Sequence, residues 1–337
     1  MASLREVKDH IASVRSTLKI TSAMKLVASA KLRKAQQAAE GVRPYTEALA
    51  QMLERVLTGG DGVASDPVRG FAAHPSQSGD WVPPSNGAEG GTPLGGNTIP
   101  TTAIVAVASN SSLCGGFNIN VVHKVQEVVV EIRKAGGDVE VISVGRKMAE
   151  AMRKAGFAPE DHADLVGRNT FDKSAAFAQT LIDAFNSGRY GRILLIYNHF
   201  VSTASQKVMV EQYLPFAGGV SSPQAGLTAP PSGARPLPLH SWADMASGED
   251  TPPATDYILE PSREEILATL LPQVMRLRVH TVLLDSIAAE HAARTLAMQA
   301  ASDNAEDLLA ELTLEYNKGR QQKITSEILD LIGGAQQ

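Results

Sequence analysis

Few residues in this chain are placed for chemistry. Ser111 to Asn118, reading SSLCGGFN, follows an apolar β-branched run and precedes an amphipathic one. A loop between strand and helix is where phosphate is cradled, because the helix N-terminus presents unpaired N–H groups. The glycines here form neither G-x-G-x-x-G nor the form ending in Gly-Lys-Ser/Thr, so the geometry of those cradles is missing. A tight turn that lets strand and helix pack closely is the plainer account of Gly115 and Gly116. Cys114, in the same turn, has only His123 near it and no recognisable order of base and orienting acid. It reads as a buried thiol rather than a nucleophile. The eight histidines are scattered. His280 and His291 are not at i, i+4 spacing, and neither H-E-x-x-H nor C-x-x-C occurs, so no metal site is read. Glu264-Glu265 and Glu306-Asp307 are carboxylate pairs without a cleft to shift their pKa, and read as solvated helix faces. The sequence implies no cofactor.

Charge is the next candidate. The net value of −5 over 337 residues is ordinary, but its distribution is not. From Arg15 to Lys34 there are six cations (Arg15, Lys19, Lys25, Lys31, Arg33, Lys34) and no acid; from Ala300 to Gln337 seven acids face three bases. The two ends attract each other in part, and the basic one keeps a surplus for an acidic partner. Nucleic acid is a poor fit, because interleaved aromatics are missing. Ile20 and Met24 sit among the cations, and a protein interface wants apolar anchors as well as charge. No apolar run reaches the roughly 18 to 20 residues that span a bilayer, so membrane association is expected only through partners. Glu6 and Asp9 in a helical N-terminal pattern argue against a cleaved signal peptide. The single cysteine allows no disulfide within the chain and suits a reducing compartment.

The elements that would position these groups are long helices at both ends and an α/β region between. Leu4, Val7, Ile11, Val14 and Leu18 alternate spacings of three and four, a heptad seam. Thr21, Lys25 and Ala28 continue the track weakly, while Ile20, Met24 and Val27 shift the apolar stripe. Helical pattern extends to about Leu57, with a kink or break expected at Pro44. A second helix starts near Ser262, an N-cap candidate with Glu265 at the capping-box spacing. Leu267, Leu270, Val274, Leu277, Leu284, and later Ala305, Leu309, Leu312 and Tyr316, keep heptad-like spacing, with a possible kink at Pro272. Some 50 to 70 helical residues reach about 80 to 100 Å, so an antiparallel pair must project from any small domain. In the middle, Thr101–Ala108, Val139–Val144, Arg192–Tyr197 and Lys207–Tyr213 read as strands. Asn118–Lys134, Arg146–Lys154 and Ser174–Phe185 read as helices. Their alternation predicts a largely parallel sheet.

Two segments differ from the rest. Thr58 to Asn97 holds ten glycines and five prolines, and Phe216 to Asp256 holds seven prolines. Neither has the apolar periodicity to offset the entropy of ordering, and both read as flexible insertions. The expected organisation is therefore an N-terminal coiled-coil helix over 1–57, an insertion over 58–98 and a central Rossmann-like α/β domain over 99–215. A second insertion over 216–256 and a C-terminal coiled-coil helix over 257–337 complete it.

The ends carry a resemblance. KITSAMKLVASAKLRKAQ at Lys19–Gln36, followed by RPYTEAL at Arg43–Leu49, resembles the N-terminal helix of the γ subunits of F-type rotary ATP synthases. The stretch Ala292–Gly334, AARTLAMQAASDNAEDLLAELTLEYNKGRQQKITSEILDLIGG, resembles their C-terminal helix and is the more specific. LCGGFN at Leu113–Asn118 and DYILEP at Asp256–Pro261 are similar to motifs of their central domain and of the entry to the last helix. The resemblance runs end to end apart from the two insertions. Asn110-Ser111-Ser112 replaces the family's usual Asp-Arg-Gly before LCGG. With Cys114 alone, the cysteine-pair redox switch of plant-type members is excluded.

The resemblance implies a rotor shaft and not an active site. The terminal helices would form an asymmetric antiparallel coiled coil inside a ring of α and β subunits. The central domain, with ε (δ in some members), would sit on the c-ring of a proton-translocating ATP synthase. The place would be the cytoplasmic face of the bacterial plasma membrane, held there through partners. Met24, Lys25, Arg320, Gln321 and Thr325 would meet β; Tyr257 and Glu260 would lie near the c-ring and ε. Two other readings stand beside it: a nucleotide-binding α/β enzyme with coiled-coil arms, and a basic coiled-coil adaptor for nucleic acid.

Overall fold

The computed structural model describes residues 4–58, 101–167, 169–215, 260 and 262–334. Two helices frame it, α1 (Leu4–Thr58) and α6 (Arg263–Gly334). They pair antiparallel along their length. The Leu4 side chain lies beside Gly319 at one end, and Arg263 Nε donates to the Val56 carbonyl at 2.7 Å at the other. The heptad track of α1 does form the seam: Val7, Ala28, Leu32 and Ala35 are buried, and Leu4, Ile11, Val14, Leu18, Thr21 and Lys25 are half-buried. Small residues let the helices close on each other where Leu32 and Ala35 meet Ala288 and Ala292. Ser302 Oγ donates to Thr21 Oγ1 at 2.9 Å and Lys25 Nζ to Gln299 Oε1 at 2.8 Å, fixing the register further out.

Between the helices lies a five-stranded sheet: β1 (Thr102–Val107), β2 (Val139–Val144), β3 (Glu160–Asp161), β4 (Arg192–Phe200) and β5 (Gln206–Leu214). Its order is β3-β2-β1-β4-β5, parallel except for the antiparallel edge strand β5. Central strands covered on both faces are apolar on both, and β1 is buried at every position and apolar at all but Thr102. Alternation sends Ala103, Val105 and Val107 to one face and Ile104 and Ala106 to the other. The second face is covered by α2 (Phe117–Lys134) and α3 (Arg146–Lys154), through Val121, Val125, Met148 and Met152. A short helix α4 (Asp164–Gly167) and α5 (Phe171–Asn186) follow. On the first face lie α5, the last turns of α1 (Leu49, Leu53, Val56) and the first half of α6 (Leu267 to Leu283). The domain core and the base of the helix pair are thus one apolar unit.

The strand and helix expectations hold with shifts at the ends. The two-residue β3 and α4 had no expectation, since Glu160 and Asp161 are exposed acids without a β pattern. Ser262 caps α6 as expected, its Oγ accepting from Glu265 N at 3.2 Å. Neither proline breaks its helix: α1 runs through Pro44 and α6 through Pro272. A mid-helix proline costs about 3 kcal/mol, and burial of Ala35 and Leu49 to either side of Pro44, and of Leu271 and Val274 to either side of Pro272, offsets it. The insertions, Thr58 apart, and Tyr257 lie outside the described residues.

Candidate partner-contact surface

The turn that invited a phosphate is filled by the chain itself. Leu113 and Gly115 take left-handed backbone at φ of 66° and 58°. A Cβ on Gly115 would stand 3.7 Å from that of Ala297 on α6. Cys114 and Phe117 are buried against Ala289 and Ala293, also on α6. Asn118 Oδ1 accepts from both the amide and the hydroxyl of Ser109 at 3.0 Å, and its Nδ2 donates to Cys114 Sγ at 3.2 Å. Asn198 Nδ2 donates to the Phe117 carbonyl at 3.1 Å. The crevice at the carboxyl ends of β1 and β4, where an open α/β sheet would take a nucleotide, is therefore plugged by this turn and by α6. Cys114 is the buried thiol the sequence suggested. Among the described residues no group of three or more His, Cys, Asp or Glu is disposed to hold a metal ion.

Polar groups of α6 are engaged along the domain. Arg278 is forked onto Glu211 of β5, and Asp285 holds His199 and the amide of Phe200 at the end of β4. Burial opposes the Arg278 charge, yet Glu211 outweighs it and pushes the guanidinium above its ordinary value. His280 Nδ1 meets Ser174 Oγ at 3.0 Å, and burial lowers its pKa. Higher up, Arg294 donates to the Ser112 carbonyl and to Glu290, each at 2.7 Å. Burial raises Glu290 in spite of Arg294. The neighbouring His291 has a buried Nδ1 with no hydrogen-bond partner among the described residues. Burial first, then the charges of Lys31 and Arg294, lower it to about 4.

Beyond this grip the helix pair is exposed. Met24 is half-buried on α1, and Lys25 spends one donor on Gln299 instead of standing free. Arg320, Gln321 and Thr325 are exposed on the part of α6 that continues past Leu4, the first described residue of α1. That part, 320–334, extends about 20 Å as a single helix. Arg320 and Gln321 carry side-chain donors, whereas Thr325 gives its hydroxyl proton to the Gln321 carbonyl at 2.9 Å and keeps acceptor capacity only. From Gln299 to Arg320 is about 30 Å along α6, so the two candidate clusters are separate stations on one shaft. Glu260 is exposed just ahead of α6.

The sequence reading had Ile20, Met24 and Val27 shifting the stripe. The structure keeps the seam on its original track. Ile20, Leu26 and Val27 point outward at 58%, 68% and 57% exposure, with Leu314 at 72% and Leu329 at 62% on α6. Large apolar side chains off the heptad track are the sequence signal for such a surface. Among the described residues no helix is long and apolar enough to cross a membrane, so these faces do not make a spanning segment.

Comparison with known proteins agrees with this shape. The family described as ATP synthase matches residues 3–337. The ATP synthase gamma chain of Phocaeicola vulgatus is 40% identical over 99% of both chains, and that of Bacteroides fragilis 41% over 99% of both. The gamma chain of Rhodospirillum rubrum is 33% identical over all of this chain and 99% of its own. Among solved structures, a chain of the Euglena gracilis mitochondrial ATP synthase, in its OSCP/F1/c-ring assembly, shares the fold. Its TM-score is 0.58 at 21% identity, covering 98% of this chain and 92% of that one. A chain from the central stalk and c-ring of the Tetrahymena thermophila enzyme has a TM-score of 0.52, covering 84% and 99%. This chain belongs to the gamma-chain family of ATP synthase.

Proposed function

We propose that this chain is the central rotor shaft of a proton-translocating F-type ATP synthase. It couples rotation of the c-ring to conformational change at the β catalytic sites, with α, β, ε (δ) and the c-ring as partners. It lies at the cytoplasmic face of the bacterial plasma membrane and reaches the membrane through those partners. The observation that carries the reading is the antiparallel pair of α1 and α6, held by a domain at one end and projecting at the other.

A shaft acts on three chemically identical sites only if its faces differ, because a contact shifts an equilibrium by its differential free energy. This pair has a cationic flank from Arg15 to Lys34, outward apolar groups at Ile20, Leu26 and Val27, and an acidic stretch after Ala300. Driving one site from 1:99 to 99:1 takes about 5.5 kcal/mol, within reach of a few charge-assisted contacts plus apolar burial. Met24, Lys25, Arg320, Gln321 and Thr325 are the proposed β contacts; Tyr257 and Glu260 are the proposed contacts at the c-ring and ε. The organisation is proposed as two coiled-coil helices, a central domain over 99–215, and insertions over 58–98 and 216–256.

The chain has, in this reading, no catalytic site of its own. The plugged crevice at Cys114 and Phe117 supports this over the nucleotide-binding enzyme. The test is ATP hydrolysis by purified α and β with and without the chain. The chain alone should be inactive and should raise the activity of the mixture well above its starting level. Stoichiometric ATPase in the pure chain would overturn the reading.

A further inference from the structure

We propose that the buried polar contacts joining α6 to β4 and β5 are a torsional key. They fix the rotational register of the central domain on the shaft, so that a load on the domain turns the helix pair instead of slipping round it. The proposal rests on the rotor reading above and assigns Arg278, Glu211 and Asp285 as its positioning residues.

Arg278 and Asp285 are seven residues apart on α6, two turns on one face. Arg278 Nε donates to Glu211 Oε1 at 2.8 Å and Nη2 donates to Glu211 Oε2. The same Oε2 accepts from the Tyr197 hydroxyl of β4 at 3.2 Å. Asp285 Oδ1 accepts from the Phe200 amide at 3.0 Å, and its Oδ2 meets His199 Nδ1 at 2.6 Å. The Tyr213 hydroxyl of β5 donates to the Met275 carbonyl at 3.2 Å, a hold on the α6 backbone itself. From α5, Gln179 accepts from Arg276 at 2.6 and 3.0 Å, and Ser174 meets His280. Side chains of Arg278, His199 and Asp285 are 4%, 1% and 7% exposed. Two strands and a helix thus hold Met275 to Asp285, about 15 Å of α6, by directional bonds.

Stability alone does not account for this choice. Leu271, Val274, Leu277 and Leu283 already bind α6 to the sheet. A buried ion pair replaced by apolar groups of similar volume is often as stable or more so. Apolar attraction is non-directional and tolerates small slides. A fork of two charge-assisted hydrogen bonds holds only near one alignment. The α1–α6 seam at Leu32, Ala35, Ala288 and Ala292 is of the first kind. The junction between domain and α6 adds the second kind, where torque would cross from one body to the other.

The test uses the complete enzyme in inverted membrane vesicles. The triple variant Tyr197→Phe/Glu211→Leu/Arg278→Met removes the charged fork and its tyrosine partner without orphaning a buried group, leaving the Asp285 contacts in place; Glu211→Gln keeps the shape and removes one charge. Detached ATPase activity reports assembly, and proton pumping per ATP hydrolysed reports coupling. The key predicts a triple variant with detached activity near wild type and pumping per ATP at least about fivefold lower, with Glu211→Gln between. Wild-type pumping per ATP in the assembled triple variant overturns the proposal. So does an equal loss of pumping and detached activity, which marks a structural role. Should the triple variant not assemble, the same outcomes in Glu211→Gln decide. If the unmodified chain supports neither α/β-dependent hydrolysis nor pumping, the rotor reading itself has failed.

Discussion

The two halves of α6 are made of one helix and do opposite things. From Leu277 to Ser286 every residue is buried, charged ones included. From Asp303 to Leu329 only Ala305 and Leu312 are. In the first half the helix is wrapped by sheet, α5 and α1; in the second, among the described residues, it touches only α1 along one narrow seam. A helix buried all round cannot also present a patterned surface, and one with a single seam cannot carry a domain. The molecule separates the tasks along its axis: grip at the base, display beyond.

The comparison breaks most sharply at glycine. Gly145 joins β2 to α3 at a φ of 109°, and a Cβ there would lie 2.2 Å from the Ala108 carbonyl oxygen. Gly145→Ala should therefore cost about 3 kcal/mol or more and leave little folded chain in a thermal melt. At Gly319 on the free half, the Cβ would meet only the flexible end of Leu4 at 3.2 Å. There alanine should be neutral or gain up to about 1 kcal/mol, since glycine is a poor helix former. A second pair tests packing. Leu267→Ala, fully buried at the base, should lose about 2 to 5 kcal/mol by denaturant unfolding. Leu314→Ala, 72% exposed, should stay within about 0.5 kcal/mol. Comparable losses from both would mean that the free half is packed after all.

On the display side the expected effects are on turnover. Met24→Lys adds a cation to the flank of Lys19 and Lys25. Opposite acidic β surfaces it should deepen one rotary stop by about 1 to 3 kcal/mol. Turnover then slows and coupling loosens with assembly intact, and high salt relieves part of the defect. Met24→Leu should be nearly silent. Equal harm from both would make the effect one of packing.

The smallest effect concerns pH at the boundary between the halves. His291 has its folded pKa lowered to about 4 from an ordinary value of 6.5. Between these values the unfolded chain binds more protons, so the contribution of His291 to stability is complete above pH 6.5 and is lost as pH falls towards 4. Glu290, raised by burial, works in the opposite sense on acidification. The stability difference between wild type and His291→Gln, followed from pH 7 to 4, isolates the histidine and should shrink across that window. A constant difference would mean that His291 is not held neutral by its surroundings.

What could be read from sequence follows the same division. Heptad spacing from Leu4 to Leu18 and the β-branched runs at Thr102 and Val139 announce themselves because each has one dominant period. The capping box at Ser262 is local and equally plain. The key between Arg278, Glu211 and Asp285 was not legible, because its members are 67 to 86 positions apart from their partners, and the strand and helix periods that hold them do not say which side chains meet. The survival of α1 through Pro44 was misjudged because flanking tertiary burial, not local propensity, decides it. Of the proposed contact residues, Met24 was flagged by its place among the cations and Arg320 by resemblance; the outward Leu26, unlike Ile20 and Val27, drew no attention although it too lies off the seam.

The most direct measurement of the account fixes an optical probe to the exposed face of α2 and follows it while assembled α and β hydrolyse ATP. The account predicts that the probe turns in one direction in step with hydrolysis, because the domain is locked to the shaft. Full-rate hydrolysis beneath a stationary or freely wandering probe would contradict it.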